Sequence, residues 1–173
     1  AWDSYSQFAS MRNGSGDWFC VVFTPAGTVL KGFAHESVMS PYRHDPPCLW
    51  PGIFAGMPDP LASLLSEPAL LIAETTFCLW STPDAPAWQH GALGFPPGPD
   101  PDGSAALLTL LDGNPLTYQS WAEDYYERPV DRHAIEHIYA HLPLTSDVVT
   151  TLAPDRSLAD LLVESREIGY PGR

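Results

Sequence analysis

The chain has 173 residues, of which 45% are hydrophobic and 17% charged, and this balance excludes a disordered chain although 19 residues are proline. Eight Lys and Arg against 21 Asp and Glu give a formal net charge of −13, which disfavours nucleic acid and anionic membranes and favours a basic partner. No apolar run approaches the roughly 18–20 residues that cross a bilayer, and the first residues do not resemble a signal peptide, so we expect a cytoplasmic protein.

The N-terminal half contains short runs typical of strands. Residues 2–11 are predicted to form a short helix, because Tyr5, Phe8 and Ala9 have helical spacing. A hairpin then follows, with aromatic and β-branched runs over 18–23 and 28–33 around a Pro-Gly turn. The second of these strands contains Lys31 and Gly32 and is therefore predicted to lie at an edge of the sheet.

A long, proline-broken connection over residues 35–60 comes next, and connections of this length are usually functional or ordered by their own side chains. Residues 61–65 favour one or two helical turns. Strand patterns recur over 70–72, 75–80 and 88–95. The short links between these segments predict a mostly antiparallel sheet of four or five strands.

The C-terminal half is helical in pattern. A helix is predicted after the cap formed by Asp102 and Ser104, and a second carries an aromatic stripe over 118–125. Asp131, Thr145 and Ser157 are predicted to cap three further helices. Strands followed by helices predict one α+β domain over residues 1–173, with the N-terminal sheet packed against the C-terminal helices.

The three cysteines and six histidines are the possible sources of metal or redox chemistry. Cys20, Cys48 and Cys78 are odd in number and lack a CxxC pair, which favours free thiols in a reducing compartment. His133, His137 and His141 have i, i+4, i+8 spacing, but the first and third would lie about 12 Å apart along one helix. We therefore predict no metal site and no cofactor.

Two acid–base pairs, His35 with Glu36 and His44 with Asp45, flank the start of the long connection. Imidazole and carboxylate groups in a loop are the usual components of a general acid–base or metal site. Neither pair has the spacing of a known catalytic motif. The four residues are therefore the candidates for a small hydrolase or a metal-dependent enzyme.

Other sources of chemistry have little support. The aspartates of residues 100–104 resemble the front of a calcium loop, but the twelfth position is Leu111, which cannot bind the ion. No GxSxG, GxGxxG or GxxxxGK[ST] motif occurs. The chain has a single Lys, which disfavours nucleic-acid binding.

The leading hypothesis is an acidic protein-binding domain with a more basic partner. Residues 100–173 carry 13 acidic and five basic side chains, and aromatic loops supply hydrophobic contacts. The predicted binding residues are Trp50, Glu123, Asp124, Glu127 and Glu136. In size, charge and fold class the chain resembles the small immunity proteins that neutralise bacterial toxins, although no motif is shared. The alternatives are the enzyme with a site at residues 35–45 and a small-ligand carrier with an aromatic-lined pocket.

Overall fold

The computed structural model describes residues 5–171, with a sheet in the N-terminal half and helices in the C-terminal half, so the predicted α+β class is confirmed. The chain divides into two compact units, residues 1–107 and 108–173, which we call the sheet unit and the helical unit. That residues 1–173 form one domain stays a prediction. Among the described residues, no helix is long and apolar enough to cross a membrane.

The sheet unit is built on five antiparallel strands in which each strand pairs with the next along the chain. The strands are β1 (Gln7–Arg12), β2 (Trp18–Thr24), β3 (Gly27–Phe33), β4 (Phe77–Thr82) and β5 (Ala85–His90). The predicted hairpin is β2 and β3, with Thr24 opposite Gly27 at the turn. The central strands are largely buried, whereas β1 and β5 are exposed along most of their length.

Three predictions about the sheet unit are wrong. The described part of residues 2–11 forms β1 rather than a helix, because pairing with β2 satisfies its backbone whereas so short a helix is marginal alone. Residues 70–72 are not a strand, since a 3-10 turn (Pro68–Leu70) precedes Leu71, whose φ is 46°. Strand β3 is central and lies between β2 and β4, so Lys31 is not at an edge.

One face of the sheet is covered by the long connection between β3 and β4. That connection contains α1 (Asp59–Ala62) and two short 3-10 helices (Ser63–Ser66 and Pro68–Leu70). The buried side chains on this face form two clusters: Val29, Cys78 and Trp80 with Ile53, Met57 and Leu61, and Trp18, Cys20, Val22 and Phe33 with Leu70. Each fully buried apolar side chain is worth about 1.5–3 kcal/mol. The connection is therefore part of the core.

Lys31 lies inside this core with 1% of its surface exposed. Its Nζ donates to the carbonyl oxygens of Leu70 (2.8 Å), Leu71 (3.0 Å) and Glu74 (2.5 Å), and it lies 3.9 Å from the centre of the Trp18 ring. Burial lowers the pKa of Lys31 to about 8, while nearby groups, including Glu74, act in the opposite direction. The ammonium therefore fixes the end of the long connection to the sheet.

Glycine is required at one place in the centre of the sheet. Gly32 of β3 lies opposite Phe77 of β4, and a Cβ at Gly32 would lie 2.1 Å from a ring atom of Phe77. The buried phenyl ring of Phe77 thus occupies the space that any other residue would need for its side chain. Glycine at position 32 therefore allows the Phe77 ring to pack directly against the backbone of β3.

Six α-helices are described. The sheet unit contains α1 and α2 (Ser104–Leu107), and the helical unit contains α3 (Pro115–Tyr126), α4 (Arg132–Tyr139), α5 (Ser146–Leu152) and α6 (Leu158–Glu167). The predicted caps are confirmed, because Asp131, Thr145 and Ser157 accept from the amides of Ala134, Val148 and Asp160. The buried residues described in this unit are few and mostly small: Ala122, Ala134, Ile135, Val149 and Ser165.

Candidate functional site

The aromatic side chains of α3 form a cluster that is largely open to solvent. We call Tyr118, Trp121, Tyr125 and Tyr126 the α3 aromatic face. Trp121 stacks on Tyr125 with 5.1 Å between ring centres, and Tyr125 meets Tyr126 edge-on at 5.0 Å. Trp121, Tyr125 and Tyr126 are 39%, 60% and 51% exposed. Trp121 and Tyr125 belong to the aromatic stripe predicted over 118–125, and the one buried residue of α3 is Ala122.

Contacts at the base of α3 hold this face in place. The ring of Tyr118 lies 5.7 Å from Trp121 and 6.2 Å from Tyr139 of α4. Gln119 Nε2 donates to the carbonyl of Val130 at 2.9 Å, and Glu123 Oε1 accepts from the amide of Val130 at 3.1 Å. These two hydrogen bonds connect α3 to the turn that follows it. They hold the backbone of the helix that carries the exposed rings.

The same end of α3 carries charged groups. Asp124 and Glu127 are exposed, and Glu127 ends the helix in the left-handed conformation with φ 52°. The guanidinium of Arg128 lies 5.8 Å from the centre of the Tyr126 ring. Exposed rings beside carboxylates attract Lys and Arg side chains, since a cation over an aromatic face gains about 0.5–1 kcal/mol at an exposed site.

The five predicted binding residues do not form one group. Asp124 and Glu127 are exposed and flank Tyr125 and Tyr126 in the sequence, whereas the carboxylate of Glu123 is used inside the α3–α4 turn. Glu136 belongs to α4, where its Oε1 lies 2.7 Å from Arg132 Nε, and this hydrogen bond lowers the pKa of the Glu136 carboxyl. Within residues 5–171, Asp124 and Glu127 are therefore the two of the four predicted carboxylates that make no side-chain hydrogen bond or ion pair.

Trp50 belongs to the sheet unit and is half-buried. Its Nε1 donates to the carbonyl of Gly94 at 3.0 Å, a bond between two loops that are 44 residues apart in sequence. Because its N–H already donates to a backbone carbonyl within the protein, the indole of Trp50 has a structural role. The exposed Trp of the aromatic cluster is Trp121, which was not among the predicted binding residues.

The first candidate acid–base pair lies in an ion cluster on the sheet unit. His35 Nδ1 lies 2.6 Å from Asp17 Oδ1, and His35 Nε2 lies 3.2 Å from Glu36 Oε1. The hydrogen bond to Asp17 raises the pKa of His35. Burial alone would raise the pKa of Asp17, but hydrogen bonds from His35 and Asn13 lower it. Both ring nitrogens thus face carboxylates, which favours an imidazolium in a structural ion pair.

The second pair, His44 and Asp45, is exposed. In the described part of the chain, no hydrogen bond or ion pair joins it to His35 or Glu36. Arg43 holds the intervening turn, because its Nε and Nη2 donate to the carbonyls of Ser37 (2.7 Å) and Glu36 (2.6 Å). The local backbone is ordered by these bonds, with the two acid–base pairs at separate ends.

The three histidines near α4 do not share one helix face as the sequence pattern predicted. The side chain of His133 is 91% exposed, and His137 Nε2 lies 2.8 Å from the carbonyl oxygen of Pro143. His141 lies beyond the end of α4, with φ 51° and its ring 5.9 Å from that of Tyr170. Within residues 5–171, no group of three or more His, Cys, Asp and Glu side chains is placed to hold a metal ion.

Comparisons of the chain with protein-family models, with curated proteins and with solved structures gave no match. The function is therefore inferred from the geometry of the described residues. Among the candidates, the α3 aromatic face combines exposure, a rigid base and adjacent carboxylates. The sequence carried one indication of it: the consecutive Tyr125 and Tyr126 are followed at once by Glu127 and Arg128, a polar setting for a helix face.

Proposed function

We propose that this protein binds a basic partner protein through the α3 aromatic face. The observation that supports it is the exposure of Trp121, Tyr125 and Tyr126 as a mutually stacked group. Trp and Tyr are enriched among the residues that dominate binding energy at interfaces, because each buries a large area at a small entropic cost. A stacked group on a fixed helix has already lost most of its rotational freedom before binding.

The charge of the chain favours a partner that presents Lys or Arg. Asp124 and Glu127 supply carboxylates beside the rings, and the net charge of −13 raises the rate of encounter with a basic protein. The position of Arg128 over Tyr126 supplies a model, within this chain, for the contact that a partner's arginine would make. A basic toxin-like protein neutralised by this chain in the cytoplasm, as immunity proteins act, is one partner of this kind.

An enzyme with its site at residues 35–45 has weaker support. A general base needs a lone pair on its imidazole, and both ring nitrogens of His35 face carboxylates that favour the protonated ring. His44 and Asp45 lack a described contact with that cluster.

The test is affinity capture from a lysate of the source cells with matched variants. Trp121→Ala removes the centre of the aromatic cluster, and Trp88→Ala removes a tryptophan of similar exposure (51%) from β5 in the other unit. A partner of the α3 aromatic face is retained by the wild type and by Trp88→Ala and is lost by Trp121→Ala. Identification by mass spectrometry then gives its isoelectric point.

Binding kinetics with that purified partner test the electrostatic part. Asp124→Asn with Glu127→Gln is compared with the equal charge change Asp84→Asn with Asp155→Asn at exposed sites elsewhere. We expect the first pair to slow association and to flatten its dependence on salt, with each exposed charge worth about 0–1 kcal/mol. An acidic partner, or a partner captured equally by Trp121→Ala, would contradict the proposal.

A further inference from the structure

The sheet unit contains a cavity of about 130 Å³ against β4 and β5. Its apolar walls include Met39, Phe77, Leu79, Leu93 and Phe95. Leu79 and His90 are directly opposite each other in the β4–β5 pair, which places the cavity on the sheet between these strands. His90 and Phe95 are themselves exposed and their rings lie 5.8 Å apart, so the cavity opens to solvent beside them.

The polar side chains that line this cavity include His90, Asp102 and Ser104, together with Thr76, whose hydroxyl already accepts from the amide of Ala34. Asp102 is buried, and its Oδ1 accepts from the amide of Ser104 at 3.0 Å. His90 Nδ1 lies 2.8 Å from the carbonyl oxygen of Gly91. Within the described residues, no hydrogen bond uses Asp102 Oδ2, the Ser104 hydroxyl or His90 Nε2. A cavity with unused polar atoms at an apolar wall is the usual form of a small-ligand site.

The hydrogen-bond directions define the chemistry of the ligand. A carbonyl oxygen can only accept, so Nδ1 of His90 is the donor in the bond to Gly91. Asp102 Oδ2 can only accept a hydrogen bond, and the Ser104 hydroxyl accepts or donates. A ligand that satisfies the Asp102 carboxylate must therefore donate a hydrogen bond, and a positive charge is favoured beside this buried group.

The size of the cavity limits the rest of the ligand. A cavity of about 150 Å³ lined by apolar side chains holds one benzene molecule. We propose that this cavity binds a small protonated amine whose apolar body is about one ring in size, with the ammonium at the Asp102 carboxylate. The site lies in the sheet unit and is independent of the protein-binding surface proposed on α3.

The same residue types occur in the catalytic triad of acyl transfer, but the hydrogen bonds here differ. In a triad the carboxylate accepts from Nδ1–H of the histidine and so orients the ring toward the nucleophile. Nδ1 of His90 is instead directed at the carbonyl of Gly91, and Asp102 Oδ1 is directed at the backbone of Ser104. This geometry supports binding of an amine rather than activation of Ser104.

The test is a titration of the full chain with benzylamine, cyclopentylamine, benzyl alcohol and benzoate. Binding is measured by NMR and by calorimetry. We expect the two amines to bind, the neutral alcohol to bind at least tenfold more weakly, and benzoate not to bind. The methyl signals of Met39 and Leu93 should shift with the amines, since both residues line the cavity.

Two matched variants locate the charge that recognises the ligand. Asp102→Asn keeps an oxygen that accepts from the Ser104 amide, and Asp84→Asn makes the same change of charge at an exposed site in the turn between β4 and β5. Asp102→Asn should weaken amine binding at least tenfold, and Asp84→Asn should change it less than twofold. Equal effects of the two variants, equal binding of amine and benzoate, or no amine binding at millimolar concentration would each overturn the proposal.

Discussion

The central strands of the sheet unit and helix α3 of the helical unit use their aromatic residues in opposite ways. On the central strands Trp18 and Trp80 are buried, whereas on α3 Trp121, Tyr125 and Tyr126 are exposed. A long connection covers one face of the central strands, and large side chains fill the space between them. The helical unit buries mainly small residues such as Ala122 and Ala134. Aromatic side chains thus stabilise the fold at the centre of the sheet and remain available for contacts on α3.

The largest expected difference is between two tryptophans. Trp80→Ala removes a side chain that is 1% exposed, and we expect a loss of about 3–5 kcal/mol in the free energy of unfolding. Trp121→Ala removes one that is 39% exposed, and we expect a loss below about 1 kcal/mol. Urea denaturation of both variants measures the two values. Equal losses in the free energy of unfolding for Trp80→Ala and Trp121→Ala would contradict the difference between the buried and the exposed tryptophan.

Lys31→Met tests whether a buried charge also supports the sheet unit. The variant fills a similar volume but leaves the carbonyls of Leu70, Leu71 and Glu74 without their donor, and an unsatisfied buried acceptor costs about 1–3 kcal/mol. We expect a total loss of about 3 kcal/mol or more in the free energy of unfolding. Glu74→Gln is the control, because it keeps the backbone carbonyl, and it should cost less than half as much. A Lys31→Met variant as stable as the wild type would show that the ammonium is dispensable.

The next effect concerns the close approach of β3 and β4. Gly32→Ala places a methyl group against the Phe77 ring and should cost about 1–3 kcal/mol. Gly94→Ala is the matched control, since a Cβ there meets nothing within 4 Å. Thermal unfolding of the two variants gives the comparison, and a similar melting temperature for both would contradict the tight packing.

The smallest effect is the pH dependence of the ion pair between His35 and Asp17. The pKa of His35 is raised, so the pair stabilises the fold fully below the ordinary histidine value of 6.5 and loses this contribution as pH rises through the raised value. The pKa of Asp17 is lowered below its ordinary value of 3.8. The stabilisation from this carboxylate is therefore present above pH 3.8 and is lost as pH falls through the lowered pKa. An NMR titration should give His35 a pKa above 6.5, and Asp17→Asn should lower it. An unchanged value in that variant would exclude the pairing.

Local patterns in the sequence predicted local structure well. The β2–β3 hairpin and the caps at Asp131, Thr145 and Ser157 depend on neighbouring residues, and all are confirmed. The burial of Lys31 was not predictable in this way, because its acceptors lie about 40 positions further along the chain. Periodicity likewise shows which side chains share a face, but not whether another element covers that face.

The aromatic face of α3 shows the same limit for the candidate site. Helical spacing grouped Tyr118, Trp121 and Tyr125 correctly, but the sequence did not indicate that Trp121 and Tyr125 would remain exposed. The acidic residues Asp124 and Glu127 were predicted as binding residues from charge alone, and they flank Tyr125 and Tyr126 in the sequence. A small-ligand pocket was one of the alternatives from the sequence, but its place at His90 and Asp102 was not predicted, because it is assembled from segments that are remote in sequence.

The central claim is that the α3 aromatic face serves binding and not folding. The most direct measurement is the effect of Tyr125→Ala, which removes the most exposed ring of that face (60%), on both the free energy of unfolding and the affinity for the captured partner. We predict a loss of stability below about 1 kcal/mol and a loss of affinity of about 2 kcal/mol, or roughly 30-fold. A stability loss of about 3 kcal/mol with unchanged affinity would contradict the claim and place these rings in the core of the helical unit.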